Sequence, residues 1–207
     1  MRERFGGWVA RGLVCVFSLA AGAVDAGQAP AAPANGLGLQ KGSIELTFML
    51  GTALPTTWLR ARSDRHLTIA ALDLGRVMTG RIGNGRFSGD LELLFEIAPL
   101  LVLRQPERVL GVAASPVFLR WNFVGSGRLR PFAELSGGLL ITSQDIPART
   151  TRLNFIDQAG FGVRLGIGPK RAVVIGYRFQ HISNGGRVRP NPGANFNLLY
   201  GGLSLGR

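Results

Sequence analysis

Near the C-terminal end of this chain, His181 and Ser183 have the types and spacing needed for acyl-transfer chemistry. They lie within RFQHISNGGRVRPNPGANFNLLY, residues 178–200. A serine hydroxyl is too weak a nucleophile unaided, and an imidazole within reach can take its proton as it attacks a carbonyl. The following residues include Asn184, Asn191, Asn195 and Asn197, and loop amides of this kind could donate to an oxyanion. Taken bare, His-x-Ser is a common pattern. A hydrogen-bonded histidine beside a turn-forming Ser-Asn-Gly fits the same residues.

Whether the pair can meet depends on the element that carries it. Val173, Ile175, Tyr177, Phe179, His181 and Ser183 are all odd-numbered, so a regular strand places them on one face. This is one of about eight alternating segments, near 43–51, 66–77, 89–101, 109–123, 130–142, 154–167, 172–183 and 195–205. Turn signals such as RIGNGRFSG, VGSGRLRP and GIGPKR separate them. In the third segment Leu91, Leu93, Phe95 and Ile97 oppose Glu92 and Glu96. In the fifth, Ala133, Leu135, Leu139 and Ile141 oppose Glu134, Ser136 and Thr142. In the sixth, Phe155, Phe161, Val163, Leu165 and Ile167 oppose Gln158, Arg164 and several glycines.

A soluble β-sandwich also alternates. Here the polar face combines glycines with carboxylates and arginines able to pair across a narrow lumen, and the segments match the ~9–11 residues of a tilted membrane strand. The expectation is all-β: an eight-stranded antiparallel outer-membrane β-barrel whose apolar face meets lipid. With both termini in the periplasm, the seventh strand ends at the outer rim. His181 and Ser183 then point outward where acyl chains meet headgroups.

The N-terminal residues fit an exported protein. Residues 1–26 read as a signal peptide, with Arg2, Arg4 and Arg11 before the apolar run Leu13–Val24 and small residues Val24 and Ala26 before Gly27. That run is shorter than the ~20 residues a membrane-spanning helix needs. Residues 27–40 are a Pro/Ala/Gly lead-in, and residues 41–207 form one domain. Cys15, the single cysteine, lies in the signal segment, so the mature domain has neither disulfides nor thiolate metal sites. The formal charge of +12 becomes about +11 once that segment is removed. Export argues against nucleic acid as the partner of such a basic chain and favours phosphorylated lipid or anionic glycolipid.

The stretch FQHISNGGRVRPNPGANFNLLYG resembles the catalytic segment of the lipid A 3-O-deacylase family. The shared pattern is Phe-x-His-x-Ser-Asn, a small residue and Gly, then Pro-Asn-x-Gly and an apolar final strand. The close likeness covers about the last thirty residues, with a weaker one in LNFIDQAGFGVRLGIG. The resemblance implies an eight-stranded outer-membrane barrel that hydrolyses an ester-linked acyl chain of lipid A without a cofactor or metal. It implies His181 as general base, Ser183 as nucleophile, and Asn184 and Asn191 near the oxyanion. The family's third member is a glutamate fourteen residues after the histidine, and that position here is Asn195. An amide oxygen can accept the histidine N–H but cannot stabilise the imidazolium by charge. Asp157, at the same rim and sharing the parity of Phe155 and Phe161, is the candidate alternative acid.

Other residues carry less. His66 is expected at a rim without a ligand-spaced partner. Glu92, Glu96 and Glu134 are expected as lumen charges balanced by Arg164 and Arg178. Arg149, Arg152, Arg187 and Arg189 could meet lipid A phosphates. The rival reading is a non-catalytic barrel of the same fold with a structural or adhesion role.

Overall fold

In a computed structural model, which describes residues 39–57, 65–105, 107–189 and 191–206, the alternating segments close into one barrel. The expected signal segment and nearly all of the lead-in lie outside the described residues. The strands are β1 (Ile44–Thr56), β2 (His66–Val77), β3 (Gly89–Gln105), β4 (Glu107–Phe123), β5 (Leu129–Thr142), β6 (Leu153–Gly168), β7 (Arg171–Ser183) and β8 (Ala194–Gly206). Each pairs antiparallel with its neighbours, and β8 pairs with β1 to close the ring. Closure leaves no strand edge unpaired, which a backbone in hydrocarbon requires. At 12 to 17 residues most strands outrun the expected segments, β1 reaching Thr56 and β3 reaching Gln105 at the outer rim, while β2 keeps the expected bounds 66–77.

The expected facing holds. In β7, Ile175 is exposed while Val174, Gly176 and Arg178 are buried. Glu92, Glu96 and Glu134 do point inward, where Arg164 pairs with Glu92 and Arg178 with Glu96 and Glu134. Arg120 joins Glu134 at 3.0 Å, and the Tyr200 hydroxyl donates to Glu134 at 2.7 Å. The lumen departs from its expected polar character over its outer half. There Leu67, Leu101, Leu103, Leu140, Ile156 and Phe196 form an apolar plug, with Ile146 from the 143–152 loop packed into it. Ion pairs offset buried charge deep in the barrel, and apolar packing closes the outer end.

The two faces of β7 should respond differently to substitution. Ile175→Arg is expected to destabilise the barrel by ~2–4 kcal/mol near the midplane, measured by denaturant unfolding in lipid vesicles. At Gly176 volume decides instead, because an added Cβ would fall 2.4 Å from the Tyr200 ring. Equal tolerance of arginine at Ile175 and at exposed loop positions would contradict a lipid-facing β7.

Candidate active site

Strand β7 carries the two sequence-predicted reactive residues to the rim. His181 and Ser183 share the outward face, while Ile182 between them turns into the apolar plug and is fully buried. That buried anchor sets the height and direction of both side chains. Pairing then adds neighbours from other strands. His181 stands directly opposite Asp157 of β6 on one side and Asn195 of β8 on the other, and Asn195 stands opposite Thr56 of β1. Asp157, His181, Asn195 and Thr56 therefore form one cross-strand row on the outside of the barrel. Cross-strand neighbours lie close enough for side chains to interact.

Within the row, His181 Nδ1 and Asn195 Oδ1 are 2.5 Å apart. An amide oxygen only accepts, so Nδ1 donates and Nε2 keeps its lone pair. That is the tautomer a general base needs. Asn195 is fully buried, whereas Asp157 is exposed on the outer face. Ser183, at 8% exposure, ends β7 two residues beyond the imidazole. Its hydroxyl makes no hydrogen bond among the described residues. Positions i and i+2 on a strand face are ~6.6 Å apart along the backbone, within reach of the two side chains once they turn toward each other. Catalytic hydrogen bonds often tighten only when substrate is bound.

The loop after Ser183 is organised around Asn184, which is fully buried. Its Nδ2 donates to the Val188 carbonyl at 2.9 Å, and its Oδ1 accepts the Gly186 N–H at 2.9 Å. Its own backbone N–H donates to Asn191 Oδ1 at 3.2 Å. Asn184 and Asn191 are thus brought together beside Ser183, and Asn191 is exposed, its Nδ2 making no hydrogen bond among the described residues. Arg187 is turned back onto the barrel. It donates to the Leu153 carbonyl at 2.7 Å and lies 5.1 Å over the Phe155 ring. Arg149 and Arg152 lie in the neighbouring 143–152 loop, and Arg189 follows in the 184–193 loop.

Gly193 acts on the site in a way the residue types alone did not reveal. It has φ +67, and a Cβ there would lie 3.0 Å from His181 Cε1. The glycine of Pro-Asn-x-Gly is therefore needed for both its backbone conformation and its contact with the imidazole. The motif was the available signal. Gly193→Ala is expected to add ~1–2 kcal/mol of left-handed strain and to push the ring from its place. The check is the His181 Hε1–Cε1 NMR resonance of the detergent-solubilised barrel, which should shift; an unchanged resonance would show that Gly193 does not hold the ring.

The crystal structure of the outer membrane enzyme PagL superimposes with a TM-score of 0.57 at 19% identity, covering 75% of this chain and 97% of that one. Neisserial surface protein A (NspA) superimposes with a TM-score of 0.49 at 12% identity, over 80% of this chain and 97% of that one. No curated protein matches the sequence. The model of the lipid A 3-O-deacylase (PagL) family matches residues 56–204, from the rim residue Thr56 through the His-x-Ser segment and into the last strand, and the chain belongs to that family.

Proposed function

We propose that this protein is a serine esterase of the bacterial outer membrane that removes an ester-linked acyl chain from lipid A. The observation that carries the reading is the outward-facing row Asp157–His181–Asn195 with Ser183 at its rim, in a chain of this family. Outer-leaflet lipid presents its ester carbonyls at that height, between acyl chains and headgroup.

Ser183 Oγ attacks the ester carbonyl carbon while His181 Nε2 takes the hydroxyl proton. The charge that develops on the carbonyl oxygen is met by amide N–H donors, for which the exposed Asn191 Nδ2 is the candidate, with the buried Asn184 holding Asn191 in place near the oxyanion through its backbone N–H. His181 returns the proton to the departing sugar hydroxyl, leaving an acyl-serine. Water, deprotonated by the same imidazole, then releases the fatty acid and restores Ser183. The sequence as written calls for no cofactor. Phosphate groups of lipid A would meet the basic rim, where Arg149, Arg152 and Arg189 are exposed.

Asn195 favours a second reading, a non-catalytic barrel of the same fold, because the family's acid is replaced by a neutral amide. Mass spectrometry of lipid A separates the two. Cells assembling the protein in their outer membrane should contain lipid A lighter by one acyl chain, and cells with Ser183→Ala should not. Unaltered lipid A beside correctly assembled protein would favour the non-catalytic barrel.

A further inference from the structure

Across the barrel from Ser183 lies a second arrangement of charge and apolar surface. In a closed ring of eight strands β3 is four strands from β7 by either route. On the outward face near the outer rim, His66 of β2 stands directly opposite Arg104 of β3, and Arg104 directly opposite Arg108 of β4. All three are exposed, and none has a hydrogen bond or ion pair among the described residues. Two arginines directly opposite each other repel and weaken a sheet pair. An anion between them reverses that term, and the guanidinium fork suits phosphate in bidentate geometry.

The surface beneath specifies what carries the phosphate. His66 and Arg104 form, with Thr52, Thr68 and Val102, a recess of about 310 Å³. Leu50 and Ala70 lie two residues further toward the bilayer centre than Thr52 and Thr68, on the same outward faces. They open an apolar groove of about 520 Å³ that runs over Pro99, Gly201 and Leu203. Cationic recess and apolar groove adjoin along β1 and β2 and form one seam that runs from Arg104 of β3 down to Gly201 of β8, polar at the headgroup level and apolar at acyl-chain depth.

We propose that this seam binds a second phosphorylated lipid of the outer leaflet, a molecule separate from the one whose ester meets Ser183. Its phosphate sits on His66, Arg104 and Arg108, and one acyl chain lies in the groove over Gly201. A free phosphate would use only the recess and leave the groove unexplained. The lipid whose ester meets Ser183 cannot also place its phosphate here, because β3 and β7 face opposite ways. The site stands whether or not the barrel hydrolyses lipid A.

Native mass spectrometry of the full-length detergent-solubilised barrel, in a Ser183→Ala background that keeps lipid intact, counts bound molecules. The probes are bis-phosphorylated lipid A, the same lipid A stripped of phosphate, and inorganic phosphate. Two bound molecules of phosphorylated lipid A are expected. Arg104→Gln with Arg108→Gln should weaken one of them by about tenfold or more and leave the stripped lipid unaffected. Gly201→Leu should weaken the same molecule from the apolar side. A Cβ at Gly201 meets nothing nearer than the Val174 carbonyl oxygen at 3.9 Å, so the new side chain fills the groove without disturbing the barrel. Heat-modifiable mobility confirms that each variant is folded. Unchanged lipid binding in the double-arginine variant would overturn the site. Unchanged binding in Gly201→Leu, or displacement of the lipid by inorganic phosphate at equal concentration, would overturn the lipid as occupant.

Discussion

Ser183→Ala and His181→Ala are each expected to lower the deacylation rate of purified lipid A by on the order of 10⁴-fold or more. The two groups are useful only together. Without the imidazole, the hydroxyl keeps its proton at neutral pH. Without the hydroxyl, the imidazole has nothing to activate but water. The double variant should therefore be little slower than either single one, since residues that act as a unit are strongly non-additive. Both side chains lie outside the apolar plug and the lumen ion pairs, so heat-modifiable barrel mobility should survive in all three. Roughly additive losses, or full activity in Ser183→Ala, would rule out the serine–histidine mechanism.

The second large effect concerns how His181 is oriented and charged. Asn195 Oδ1 already holds the Nδ1 proton, so the tautomer is supplied without the family's glutamate. What the amide lacks is charge. A charge-assisted hydrogen bond is roughly twice as strong as a neutral one, a difference worth about tenfold in rate. Asn195→Glu should therefore speed deacylation if the imidazolium has no other carboxylate. Asn195→Asp, which adds the charge without volume at this fully buried position, is the matched control. Asp157 stands on the opposite side of His181 in the same row. If Asp157 already stabilises the imidazolium, both Asn195 variants should do little, and Asp157→Asn should slow the enzyme severely. Rates of the three variants on lipid A in detergent decide between a weakened dyad and a relocated triad. No change in any of them would refute both accounts.

The sequence determined which residues face out, because strand side chains alternate with a period of two. It placed His181 and Ser183 on the lipid side, Asp157 with Phe155 and Phe161, and Glu92, Glu96 and Glu134 inside with their arginines. The motif FQHISNGGRVRPNPG was enough to single out His181 and Ser183 as the candidate pair.

Register was decided only by the tertiary structure, since it belongs to two strands jointly and is set by the turns and bulges between them. The placing of Asp157, His181, Asn195 and Thr56 in one row depends on three separate pairings. No single strand's pattern contains that information. Bulges add a second layer. Register shifts around Pro99 in β3 and Pro116 in β4 move the outward face from Leu93, Phe95 and Ile97 to Leu100 and Arg104, and from Leu110 and Val112 to Val117. Proline lacks the N–H that a ladder needs, so it marks such irregularities without stating where the phase resumes. The outward alignment of His66, Arg104 and Arg108 follows from that shift. The apolar plug had the same origin, since inward-facing leucines of the outer half resemble lipid-facing ones until closure of the ring shows which side they occupy.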